Sequence, residues 1–144
     1  MGNRAVIAQR VDGVPREYSP AIYLHWNGGR NSVEAFLNAA KHLGLRGGDY
    51  GMARLTQIIG NFFGGGMSLG TGTLSGLDAD NYDNGLYWID DQFEIVDREF
   101  VRNPEQTGYE LVETTEYVLY QNRHAFNVEP EIIERAERRE LEAA

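Results

Sequence analysis

Apolar positions near the start of the chain come in two short runs. Ala5 to Val11 alternates loosely and stops at Asp12-Gly13, a dipeptide that favours a tight hairpin turn. The run AIYLHW at residues 21–26 is rich in residues that sit well in a sheet, and Pro20 marks its start. The pattern then changes period. After Asn27-Gly28-Gly29, the residues Val33, Phe36, Leu37, Ala40 and Leu43 or Leu45 recur at helical spacing, and Asn31 with Glu34 has the form of a capping box. Asp49 offers a second cap, and Met52, Leu55, Ile58, Ile59, Phe62 and Phe63 give a strongly apolar helical face that must be deeply buried.

Gly64-Gly65-Gly66 stops that helix, and the next regular signal is GLYWID at residue 85. A connection of about 20 residues is unusual in a compact domain. Residues 85–89 and 93–100 read as a hairpin turning at Asp90-Asp91-Gln92, and YELVETTEYVLY, residues 109–120, as one or two further strands. A last helix starts near Pro130, with Glu131 to Arg135 and Glu134 to Arg138 at i, i+4 spacing. The expected fold is α+β: one domain over residues 1–144, a mainly antiparallel sheet, two packed helices and a C-terminal helix.

Charge changes the picture more than composition does. The net charge is −9, but residues 1–77 carry +3, residues 78–116 carry −10 and the remainder carries −2. Such an acidic block repels phosphates and attracts basic protein surfaces, so a protein partner is expected and direct nucleic-acid binding is not. Asp78, Asp80, Asp83, Asp90, Asp91, Glu94 and Asp97 are the residues expected to form that acidic surface, unless they simply solvate one face of the sheet. The absence of cysteine removes thiolate chemistry and disulfides. No run approaches a membrane span and the first residues lack a signal peptide's apolar stretch, so a cytoplasmic protein is expected.

The glycine-rich run holds several incomplete motifs. Gly66-Met67-Ser68-Leu69-Gly70 matches the nucleophile elbow, but the serine follows a helix instead of a strand. Gly70 to Gly76 could cradle an anion, yet the run lacks the lysine of a P-loop and the strand and helix of a dinucleotide fold. The aspartates after Asp78 fail the EF-hand register, because Tyr82 and Ile89 occupy ligand positions; Asp and Asn as turn formers around Asn84-Gly85 is the plainer reading. The expectation is an ordered loop packed by Met67, Leu69, Leu74 and Leu77, with several glycines at positive φ and no metal or cofactor. An alternative ligand site combines His25, Asn27 and Arg30 with Gly70, Gly72 and Thr73, suited to a small molecule or nucleotide, with hydrolysis as its furthest extension.

The strings IYLHWNGG (22–29), IIGNFFGGG (58–66) and DNYDNG (80–85) resemble a small uncharacterised protein family of phages and bacterial mobile elements. The resemblance covers roughly the first 100 residues. It implies an inhibitor of host defence, of the anti-CRISPR kind, and supplies no catalytic residues. Together with the acidic block it leads to a non-enzymatic interaction protein that competes for the basic, nucleic-acid-binding site of a host defence protein.

Overall fold

Strand β1 (Ala5–Gln9) is buried at every position because a strand flanks it on each side and both of its faces are covered. It stands at the centre of a five-stranded sheet ordered β3-β2-β1-β4-β5, with β2 at Pro20–Leu24, β3 at Leu69–Thr73, β4 at Leu86–Ile89 and β5 at Ile95–Glu99. The pair β1–β4 is parallel and the other three are antiparallel. Among the described residues four helices complete the fold: α1 (Arg30–His42), α2 (Gly48–Phe63), α3 (Leu111–Gln121) and α4 (Pro130–Ala143). This computed structural model describes residues 2–64, 69–105 and 110–143. It is an α+β fold, as the patterning predicts.

Period-2 alternation sorts the strands onto two faces. Ala5, Ile7, Ile22, Leu24, Tyr87 and Ile89 meet the helices, where Val33, Phe36, Leu37, Leu55, Ile58 and Ile59 are buried. The stripes expected on α1 and α2 therefore do face the sheet, although Phe62 is only partly buried and packs edge-on to Phe36 at 5.2 Å. Val6, Ala8, Ala21, Leu86 and Trp88 form the opposite face, covered by Leu74, Leu77 and Ala79 of the segment after β3. Arg10 and Arg16 lie over the Trp88 ring there, and the Trp88 indole N–H donates to Glu99.

Three elements differ from expectation. Residues 111–121 are a helix, although Val, Thr and Tyr dominate them: Leu111, Val118, Leu119 and Asn122 recur at helical spacing, and α3 packs on α1 and α4. The Asn122 amide is the anchor, donating to the Ile58 carbonyl of α2 and accepting from Asn61. The second difference is β3, an edge strand inside what reads as a loop; the glycines hide its period. Third, β1 and β2 pair as expected and Asp12-Gly13 does make a tight turn, Val14 N–H to the Val11 carbonyl at 3.2 Å. The connection nevertheless runs on through residues 10–19 with a short 3-10 turn instead of closing at Asp12-Gly13 alone. Asn31 is not the cap of α1, which starts from Gly29, and Gly47 precedes α2 where Asp49 was the expected cap. Arg135 pairs across to Glu116 instead of Glu131, while Glu134 and Arg138 form the expected i, i+4 pair within α4. Ser68 and Met67 lie outside the described residues.

Candidate interaction surface

The sheet has two ends. At the entry end, where β1 and β4 begin, the connections around residues 25–29, 78–85 and 100–105 meet; residues 10–19 and 90–94 lie at the exit end.

Asn81 builds the entry end. Its side chain is buried, its amide N–H groups donate to the carbonyls of Asp78, Ala79 and Gly85, and its Oδ1 accepts from the backbone N–H groups of Asp83 and Gly85. Asn84 adds bonds to Asn3 Oδ1 and the Arg4 carbonyl. This is the work of a short amide side chain that mimics backbone. The loop DNYDNG is thus fixed by its asparagines, the plainer of the two readings above.

That scaffold forces Tyr82 into the left-handed region at φ +63° with 74% of its surface exposed. Phe100 sits beside the same loop at φ +57° and is also exposed. Bulky residues seldom adopt this conformation, which costs on the order of 1–3 kcal/mol and persists only where the surroundings over-determine it. Arg102 completes the group: its guanidinium lies 5.3 Å from the Tyr82 ring centroid and bonds Asp80, while its backbone N–H donates to the Asp83 carbonyl.

The acidic residues expected to act together are divided. Asp78, Asp80 and Asp83 stand at the entry end. Asp90, Asp91 and Glu94 stand at the exit end, beyond the four residues of β4, roughly 13 Å of strand. Much of the charge is compensated in place: Asp83 by Arg4 at 2.8 Å, Asp80 by Arg102 at 2.9 Å, Glu94 by Lys41 at 2.7 Å and Asp97 by Arg10 at 3.4 Å. Burial would raise the Asp83 carboxyl, but the Arg4 side-chain and backbone hydrogen bonds outweigh it and hold the group below the usual carboxylate range. Asp90 Oδ1 is taken by the backbone N–H groups of Gln92 and Glu94, so it forms its own turn. The acidic residues of the two loops therefore stand as two clusters, one at each end of the sheet. Among the described residues, no three His, Cys, Asp or Glu side chains converge on a metal position.

The alternative ligand site does not assemble. β3 runs antiparallel to β2 with Thr73 opposite Pro20 and Leu69 opposite Leu24, so Gly72 and Thr73 lie toward the end of β2 away from His25. Gly70 and Gly72 are extended strand residues and do not form an anion nest; within residues 64–85 the described glycines at positive φ are Gly64 and Gly85. His25 Nδ1 shares a hydrogen bond with the Tyr23 hydroxyl at 2.9 Å. The Asn27 amide donates across its turn to Ser32 Oγ. Arg30 bonds Glu105 and Glu34, which raise its pKa in that order despite partial burial.

The patterning missed a buried brace beneath this end. Arg98 stacks over the Tyr87 ring at 3.6 Å, donates to the carbonyls of Asn84 and Leu86 and pairs with Glu105. The Tyr87 hydroxyl donates to the Gly28 carbonyl at 2.6 Å, and burial pushes that phenol well up from its ordinary value. Tyr82 and Phe100 were missed as well; an aromatic residue framed by Asn and Asp in a turn segment was the signal for the first.

No family model matches the chain, and neither a curated protein nor a solved structure does. No helix among the described residues is long and apolar enough to cross a membrane.

Proposed function

We propose that this chain is a non-enzymatic interaction protein, acting in the cytoplasm, that inhibits a host defence protein by occupying its basic, nucleic-acid-binding surface. Its contact face is the entry end of the sheet, centred on Tyr82 with Phe100, Arg102, Asp78 and Asp80. The observation that carries this reading is Tyr82: an exposed aromatic held in an unfavourable backbone conformation by the five hydrogen bonds of Asn81. Tyrosine and arginine dominate binding hot spots, and a pre-ordered side chain loses little freedom on docking. Asp78 adds negative charge at the rim beside the Asp80–Arg102 pair, where charge mainly sets the association rate and its salt dependence.

The test is a pull-down from a defence-positive bacterial lysate with the native chain as bait. A stoichiometric nucleic-acid-binding partner that duplex DNA displaces is expected. Tyr82→Ala is expected to weaken that partner roughly 30-fold, about 2 kcal/mol. Equal affinity of the native and Tyr82→Ala chains, or a partner that keeps its nucleic acid while bound, overturns the reading.

A further inference from the structure

The two edges of the sheet are guarded very differently. On β5, Asp97, Arg98 and Glu99 carry charge and the register with β4 is irregular at Trp88/Ile89. Both devices discourage another strand from adding. On β3 the sequence is Leu-Gly-Thr-Gly-Thr, with no charge, no proline and unbroken register against β2, and its last three residues are exposed.

The direction of its free backbone groups follows from the ladder. Leu74 N–H donates to the Ser19 carbonyl, one step beyond the Pro20–Thr73 pair. Hydrogen-bonded pairs alternate in an antiparallel ladder, so Ala21–Gly72 and Tyr23–Gly70 are the bonded pairs. The N–H and C=O groups of Leu69, Thr71 and Thr73 therefore point outward, and no turn or loop of the described residues reaches them.

We propose that β3 is a self-association edge: two copies of the chain pair β3 to β3, antiparallel, about a twofold axis at Thr71. This register sets Thr71 opposite Thr71, Leu69 opposite Thr73 and Gly70 opposite Gly72. All six outward backbone groups of each strand are then satisfied, because the three outward residues of one copy meet the three of the other. A twofold pairing also closes on itself, as a head-to-tail contact does not.

Charge selects this edge for two copies of a chain that each carry −9. From residue 50 to residue 77 there is no acidic residue, and Arg54 is the one charged side chain. Those residues build α2 from Tyr50 onward and β3, which lie side by side, with Leu69 over Gly60 and Thr71 beside Met52, Ala53 and Thr56 along a groove of about 410 Å³. The flank that receives the second copy thus carries a single acid, Asp49 in the first turn of α2. The surface is separate from the Tyr82 face, which lies at the entry end of β1 and β4, with β2 between those strands and β3.

The chain contains no cysteine, which makes oxidative cross-linking selective. Directly opposite residues of a bonded antiparallel pair have Cα atoms about 5.5 Å apart, within disulfide reach. Thr71→Cys is therefore expected to cross-link to its own symmetry mate. Thr73→Cys is not, since the two copies of residue 73 are four residues apart along the ladder, roughly 13 Å. Light scattering of the native chain is expected to give twice the 16.2 kDa chain mass, and Thr71→Lys half of that, with an unchanged circular dichroism spectrum. A monomeric native chain at its highest soluble concentration overturns the proposal. So does a dimer in which Thr73→Cys links as readily as Thr71→Cys, or one that survives Thr71→Lys but is split by Asp97→Arg on β5. A native monomer that adds a foreign extended peptide along β3 also overturns it.

Discussion

A Cβ built on Gly85 falls 2.2 Å from the Glu99 carbonyl oxygen, and the residue's φ is +67°. The same atom on Gly72 meets nothing nearer than a Leu77 methyl group at 3.8 Å, in ordinary extended backbone. Gly85→Ala is expected to destabilise by about 2–4 kcal/mol, since it combines left-handed strain with a clash against backbone. Gly72→Ala should stay within about 1 kcal/mol of the native chain. Urea melts of the two variants check both values. The expectation that several glycines of the run are needed for positive φ fails at Gly70 and Gly72 for this reason: a flat edge strand uses glycine to stay open, and a turn uses it to reverse. Side-chain asparagine bonds, more than glycine, hold the residues after Asp78.

At the scale of elements, α3 is where sequence and structure part most clearly. Strand propensity in YELVETTEYVLY is a weak preference for a half-buried pleated surface, and tertiary packing overrides it. Arg135 and Arg139 of α4 reach across to Glu116 at 2.6 and 2.7 Å, and Asn122 locks the helix to α2. None of these partners is near in sequence. The apolar stripes of α1 and α2 were legible because burial against a sheet leaves a helical period in the residues themselves, and the hairpin β4–β5 because its turn is local. The Glu116 carboxyl is held below the usual carboxylate range, first by the Arg135 hydrogen bond and then by Arg139, against the opposing effect of burial. Its contribution to stability is therefore present above the unfolded carboxylate value of about 4.3 and is lost as pH falls through the lower folded value. Acid titrations of the native chain and Glu116→Gln are expected to differ by about 1 kcal/mol near neutral pH and to converge at the acid end.

For the whole molecule, the separation of the acidic residues into two ends gives a direct test of which end binds. If the Tyr82 face is the contact surface, Asp91→Lys with Glu94→Lys at the exit end should leave partner affinity within about twofold. Asp78→Lys with Asp80→Lys should slow association by tenfold or more at low salt, an effect that shrinks as salt rises. Surface plasmon resonance across a salt series separates the two; a larger effect from the exit-end pair would move the contact face to residues 90–94. The candidate surface was only half legible because the sequence orders charges along a line, and a strand returns that line to the opposite end of the sheet. The same strand has a bearing on how the molecule is made. β1 pairs in parallel with β4 from a distance of 80 residues, Val6 with Leu86, so during synthesis the most apolar strand is an open edge until residue 89 has left the ribosome. Non-local pairing of this kind closes late. In a nascent chain the vulnerable strand is thus the one that becomes the centre of the finished sheet, and its protection depends on translation running promptly through the acidic segment.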